Sequence, residues 1–157
     1  MRALNLRLAL YQPDMPPNLG AAIRVAACFA APLEIIEPCG FLLTDPALKR
    51  VAMDYAGKAE IVRRASWAAF LAAPERAEGR LILFTTQAEH ALDAFVFAPG
   101  DTLLFGRESA GAPPEVHEAA AARVRIPVRA RSLNLAVSTG VALFEARRQL
   151  GWPAATD

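Results

Sequence analysis

The chain has 157 residues, of which 54% are hydrophobic and 21% charged. That length suits one ordinary domain with its own core, and the composition excludes disorder as the overall state. With 17 basic and 16 acidic residues the formal net charge is +1, which excludes a broadly basic nucleic-acid coat but allows a local basic patch.

Two cysteines, Cys28 and Cys39, are too few for a disulfide scaffold and suit a reducing compartment. No stretch reaches the roughly 20 uninterrupted apolar residues of a membrane span. The start carries no signal-peptide pattern, because Asn5 and Arg7 interrupt it. These features predict a single domain over residues 1–157, acting in the cytoplasm.

In chain order, Leu6 to Tyr11 is an apolar run entering a turn marked by Pro13, Pro16 and Pro17, which reads as a buried strand. Asn18 is the expected cap of a helix from about Leu19 to Ala30, stopped by Pro32. Leu33 to Ile36 reads as a second strand. Pro46 suits the first position of a helix running to about Asp54. Ile61 to Arg63 is a short strand, and Ser66 caps a helix through Trp67 and Phe70 to Ala73. Leu81 to Thr85 and Thr102 to Phe105 are strands. Pro113 and Pro114 open a helix to about Ala122, followed by a strand from Val124 to Ile126. Asn134 to Leu150 is the longest helical pattern, closed by Gly151 and Pro153. Alternating strands and helices predict an α/β domain with a mostly parallel sheet. Ligands in such sheets bind beyond the carboxyl ends of strands.

Several familiar sites are excluded. Gln12 to Ala21 contains Gly20 alone, so a dinucleotide fingerprint fails. Gly57-Lys58 is followed by Ala59, so a phosphate loop fails. A nucleophile elbow needs glycine two residues before its serine, and Arg107 precedes Ser109 there. No cysteine or histidine pair has metal-ligand spacing, so no metal is expected. Cys28, inside an apolar helix, reads as a small buried hydrophobe.

Three loops carry a stronger signal. The first runs from Tyr11 to Arg24, where a proline-rich turn delivers Asn18 and Gly20 to a helix start. An ordinary capped helix with a solvated arginine is the plain alternative. The second is Leu103-Leu-Phe-Gly-Arg-Glu-Ser-Ala-Gly111, a buried strand ending in glycine and charge. The third runs from Val124 to Leu135, with Arg123, Arg125, Arg129 and Arg131 concentrated in nine residues before Ser132 and Asn134.

As a set these motifs resemble the SPOUT-class RNA 2′-O-ribose methyltransferases. They come closest to the small tRNA (cytidine/uridine-2′-O)-methyltransferases that modify the wobble nucleotide. Further matching pieces are Ile35-Ile-Glu-Pro-Cys-Gly-Phe41, Met53-Asp-Tyr55 and Glu145-Ala-Arg-Arg-Gln-Leu-Gly151. The resemblance implies a parallel sheet with a C-terminal deep trefoil knot and a homodimer with sites beside its interface. It implies S-adenosylmethionine as cofactor, S-adenosylhomocysteine as product and no metal, because the sulfonium is already an activated donor. It places Phe84, Thr85, Gly106, Ile126, Ser132 and Leu133 at cofactor-contacting positions. Arg24, Asn18 and Glu108 fall at the reaction centre, and Asn134 with Arg129 and Arg131 face the RNA.

Arg24 falls on an arginine proposed to act on the ribose hydroxyl. A guanidinium stays protonated, so positioning and oxyanion stabilisation suit it better than general-base work. Three departures stand out. Arg107 replaces a frequent proline, Ala136-Val-Ser-Thr-Gly140 replaces a common Ser-Asn-Ala-Val run, and Phe144 replaces a frequent tyrosine. The implied substrate is the wobble pyrimidine of tRNA, read from an anticodon stem-loop held across a dimer. The rivals are the same chemistry on another tRNA or rRNA nucleotide, a non-catalytic knotted RNA-binding module, and a small-molecule α/β binding protein.

Overall fold

The computed structural model describes residues 5–54 and 59–153. Tyr55 of the Met53–Tyr55 match, Gly57-Lys58 and the first four residues of the chain lie outside them. The expected strands form as β1 (Arg7–Tyr11), β2 (Leu33–Ile36), β3 (Ile61–Arg64), β4 (Leu81–Phe84), β6 (Thr102–Phe105) and β7 (Ala122–Arg125). A two-residue β5 (His90–Ala91) was not foreseen, being too short to show a period. The helices are α1 (Pro16–Cys28), α2 (Asp45–Asp54), α3 (Trp67–Ala72), α4 (Pro114–Ala119) and α5 (Leu135–Leu150).

The seven strands make one sheet in the order β3-β2-β1-β6-β4-β7-β5. Every described pairing is parallel. Side chains alternate across such a sheet, and helices cover both faces. Leu8, Leu10, Leu33, Ile35, Ile82 and Leu103 pack on one face with Ile23 and Ala26 of α1 and Leu143 and Ala146 of α5. Ala9, Tyr11, Ile36, Leu83 and Leu104 pack on the other with Phe70 of α3 and Val116 of α4.

Several boundaries differ from expectation. Helix α1 starts at Pro16, with Met15 as a cap that makes no side-chain bond. Pro16 and Pro17 preset the first turn and need no donor there, so Asn18 sits inside the helix and does not cap it. The helix ends before Pro32 because Ala30 turns left-handed (φ 54°), letting the Ala31 N–H reach the Ala26 carbonyl at 2.9 Å. Arg147 of α5 covers the carbonyls just beyond this end, donating to Phe29 at 2.9 Å and Ala30 at 3.0 Å. Cys28 is exposed, not buried, because the last turn of α1 points it away from the core. Helix α4 stops at Ala119 because the Ala121 N–H joins the sheet at the Leu81 carbonyl (2.8 Å), which starts β7 early. Ser66 caps α3 as expected, accepting from Ala69 at 3.0 Å.

One fully buried carboxylate ties the far side of the sheet together. Glu34 of β2 accepts from Arg7 of β1 at 3.1 Å, from Arg64 of β3 at 2.8 Å, and from Arg76. The Arg76 guanidinium also stacks 3.8 Å above the Phe70 ring. Removing one member of a buried ionic group leaves the others uncompensated. Glu34→Gln is expected to cost about 3–5 kcal/mol, read as a lower urea midpoint with an unchanged m-value.

Candidate active site

Strand order fixes where the loops meet. Strands β1, β6, β4 and β7 are neighbours, so the segments leaving Tyr11, Phe105, Phe84 and Arg125 emerge along one edge. These are the loops that carry the sequence motifs. A cavity of about 730 Å³ opens there. Phe84 and Phe105, paired in register, stack with ring centroids 4.8 Å apart and form part of its apolar wall.

Gly106 makes the turn after β6 possible. A Cβ at this position would lie 2.5 Å from the Gly111 carbonyl carbon and 2.6 Å from the Ala112 nitrogen. The chain folds back on itself, and Arg107 and Gly111 exchange backbone hydrogen bonds of 3.0 and 2.9 Å. Gly111 takes φ 67°, a region that glycine adopts freely.

The predicted cofactor residues Phe84, Thr85, Gly106, Ile126, Ser132 and Leu133 all line the cavity. So do Asn18, Glu108 and Asn134. Asn134 caps α5, accepting from the Val137 N–H at 3.2 Å, and its Nδ2 donates to Asn18 Oδ1 at 2.9 Å. One hydrogen bond therefore joins the first motif to the third across 116 residues of sequence.

Arg24, Arg129 and Arg131 do not line the cavity of their own chain. Arg24 is exposed on α1, and the other two are exposed on the loop before Ser132. The basic run is less free than the sequence suggests. Arg123 is spent on Glu89 and on the His117 carbonyl at 2.7 Å, and Arg125 donates to the Ala88 carbonyl at 3.1 Å.

Glu108 and Asp14 form a carboxyl pair at the cavity edge. The Asp14 N–H donates to Glu108 Oε2 at 3.0 Å, and the Ser109 hydroxyl donates to Asp14 Oδ2. Burial, reinforced by the Asp14 carboxyl beside it, pushes the Glu108 carboxyl above its ordinary range, against the opposing pull of the Asp14 N–H. Bonds from Glu108 and Ser109 hold Asp14 below its own. The pair thus keeps one proton on Glu108 longer than an isolated carboxyl would. Cys39 lies close by, and burial raises its thiol to about 11, so it stays protonated.

Asp14, Gln12 and His117 are the site residues that sequence reasoning passed over. His117 lines the cavity from α4, and Gln12 bonds to Arg107. Gln12 and Asp14 lie just past the end of β1, inside the first motif, and that position was their only signal in the sequence. Among the described residues no group of histidine, cysteine and carboxylate side chains could hold a metal, and no helix is long and apolar enough to cross a membrane.

A parallel sheet with a ligand-sized crevice at its carboxyl edge, walled by stacked aromatics and asparagine amides, is the layout of a ligand-binding α/β domain. Residues 5–144 match the SpoU rRNA Methylase family, and the chain belongs to that family. It is 47% identical over 146 residues to a tRNA (cytidine(34)-2′-O)-methyltransferase of Beijerinckia indica, covering 92% of this chain and 91% of the relative. It is 39% identical over 154 residues to the protein of that name from Escherichia coli K12, covering 96% and 97%. A solved structure concerned with the 2-OH methylation of C/U34 on tRNA superposes with a TM-score of 0.82 at 45% identity, covering 92% and 95%. The SpoU methyltransferase AviRb from Streptomyces viridochromogenes, in complex with AdoMet, gives 0.80 at 27% identity, covering 92% of this chain and 60% of that one.

The carboxyl pair makes a pH prediction. A group whose pKa is raised on folding adds stability below its unfolded value and loses that contribution as pH rises through the folded one. Glu108→Gln removes the titration while keeping an acceptor for Asp14. The melting temperature of Glu108→Gln minus that of the parent protein is therefore expected to grow as pH rises from about pH 4, the ordinary carboxylate range, toward neutrality. A difference that is flat or shrinks across that range counts against the shared proton.

Proposed function

We propose that the chain transfers a methyl group from S-adenosylmethionine to the ribose 2′-hydroxyl of the wobble pyrimidine, cytidine or uridine, of tRNA. The observation that carries this reading is the Asn18–Asn134 bond at the mouth of the cavity, beside Glu108. Relatives named for this reaction, aligned over nine-tenths of the chain, support it.

The cavity fits the cofactor by size and by chemistry. Phe84, Phe105 and Ile126 offer apolar faces to an adenine, and the Thr85 and Ser132 hydroxyls and nearby backbone offer polar partners. Bound there, S-adenosylmethionine supplies an electrophilic methyl on a sulfonium, and the products are a 2′-O-methyl ribose, S-adenosylhomocysteine and one proton. The work left to the chain is to orient the hydroxyl, exclude water and ease that proton away. The linked amides of Asn18 and Asn134 fix the two helix starts against which the ribose would lie. Glu108, protonated more readily than a free carboxyl, holds the Asp14 loop in place.

Arg24 is the residue we assign to the ribose and its phosphate, and a homodimer is how it reaches them. It lies on an exposed stripe of α1 with Pro17, Ala21 and Cys28. Helix α5 exposes a matching stripe of Val137, Val141 and Phe144, and Trp152 packs edge-on against Phe144. A second copy set against these stripes covers the apolar side chains and brings one Arg24 beside the other copy's cavity. We also read the C-terminal segment as knotted through the loop after β6, as in the resembling class, and the site of action as cytoplasmic, where tRNA is used.

The test is methyl transfer from labelled cofactor to bulk tRNA lacking ribose methylation, with the product nucleoside mapped by mass spectrometry. A 2′-O-methylated pyrimidine at position 34 is expected. Label at another nucleotide moves the target, and absence of label with normal cofactor binding overturns the enzyme reading. Asn134→Ala is expected to lower turnover by about a hundredfold, the cost of misplacing the reacting group, with little change in cofactor affinity. Phe144→Asp is expected to give a monomer by light scattering and to lose activity with it.

A further inference from the structure

The function just proposed leaves one polar pair without a task. Arg107 stands where the resembling methyltransferases often carry proline, and it brings a charged side chain to that position. Its backbone is pinned by both hydrogen bonds to Gly111. Its Nη2 donates to Gln12 Oε1. Gln12 is held in turn, since its N–H donates to the Ile36 carbonyl at 2.8 Å while its φ of 44° is left-handed. A non-glycine residue in that conformation costs free energy and persists only where neighbours enforce it.

The charge of Arg107 is not neutralised by a close partner. No carboxylate among the described residues lies within ion-pair distance of it, and its Nε is buried without a hydrogen-bond acceptor. Asp14 feels its field but spends Oδ2 on Ser109. Glu108 is engaged with the Asp14 N–H. The amide oxygen of Gln12 faces Arg107 and fixes the direction of its guanidinium. Arg107 therefore presents donors alone, with one positive charge, at the wall of the cavity, while Gln12 holds it from behind that wall. Such a surface is complementary to an anion that only accepts.

Position narrows the choice of anion. Gln12 follows β1 and Arg107 follows β6, beside the loop that carries Asn18. The proposed cofactor residues Phe84, Thr85 and Ile126 sit over β4 and β7, on the other side of β6. We propose that Arg107, oriented by Gln12, binds a phosphodiester oxygen of the RNA next to the reacting ribose. This rests on the RNA substrate proposed above. Arg107 is thereby an RNA-binding residue of this chain, and Gln12 a positioning residue.

The experiment measures binding of an anticodon stem-loop RNA across a salt series, with S-adenosylhomocysteine binding and thermal unfolding alongside. Arg107→Ala is expected to weaken RNA binding about tenfold and to reduce the log–log salt slope by about one, with S-adenosylhomocysteine binding unchanged. Arg107→Lys should restore the slope but not the full affinity, because it keeps the charge and loses the planar fork. Gln12→Ala should weaken binding with the slope unchanged. If Arg107→Ala fails to fold, the Lys and Gln12 variants carry the test. An unchanged slope in Arg107→Ala overturns the proposal. So does an equal loss of S-adenosylhomocysteine affinity, which would assign Arg107 to the cofactor carboxylate. If the unaltered protein methylates the stem-loop while either result holds, only this inference falls. If it neither binds nor methylates RNA, the proposed function falls with it.

Discussion

Strand β6 lies between β1 and β4, and its parallel register sets Phe105 against Leu10 on one side and Phe84 on the other. Because the three strands end together, the loops that leave them start from one level and have no room to diverge. The chain can leave β6 only by folding back tightly, and Gly106 permits this where any Cβ would meet the Gly111 and Ala112 backbone. That return holds the Arg107–Gly111 bridge in place and brings Glu108 against the Asp14 N–H. A substitution at Gly106 would thus disturb the cavity wall, the carboxyl pair and the Arg107 side chain at once.

The two ends of the sheet treat charge differently. At the Glu34 cluster a buried carboxylate is surrounded by three guanidinium groups, which fixes the order of β1, β2 and β3 and does no evident chemistry. At the cavity edge Asp14 and Glu108 sit against each other, and Arg107 has an amide, not a carboxylate, as its partner. Buried nitrogens without an acceptor occur in both places, Arg76 Nε and Nη1 in the Glu34 cluster and Arg107 Nε beside the cavity, and each such group costs roughly 1–3 kcal/mol. Arg107 lines the large cavity, where a ligand can supply an acceptor.

How much of this was legible in the sequence depends on range. The strands Leu33–Ile36 and Thr102–Phe105 could be read exactly, because buried parallel strands are short apolar runs bounded by turn residues. The Ser66 cap is equally local and was equally clear. Asn18 misled because its type suits a cap, whereas two prolines ahead of it had already started the helix. Cys28 misled because burial follows helix phase, and a single cysteine carries little of that signal. The cavity residues at strand ends were legible through their motifs. The Asp14–Glu108 and Gln12–Arg107 contacts were not, since they join positions 94 and 95 residues apart. Nothing in local periodicity encodes a pairing that exists only once β6 has slipped between β1 and β4. Likewise Arg123 and Arg125 looked like free basic charge until the structure bound them to Glu89 and to backbone.

The same strand order divides the site into two halves. Over β4 and β7 the wall is uncharged, with Phe84, Val124 and Ile126 beside the hydroxyls of Thr85 and Ser132, suited to a flat base and a small neutral contact set. Between β1 and β6 it is charged, with Asn18, Arg107 and Glu108 presented from helix and strand ends. A group-transfer enzyme needs such a boundary, because donor and acceptor must approach from opposite sides and meet at one atom. The Asn18–Asn134 bond crosses it, since Asn134 belongs to the segment after β7 and Asn18 to the segment after β1. On the β1 side the exposed face of α1 carries Arg24. That face is shared with the exposed apolar stripe of α5, which packs against α1 along its length. Under the proposed function, this adjacency couples the placement of Arg24 to whatever covers the α5 stripe.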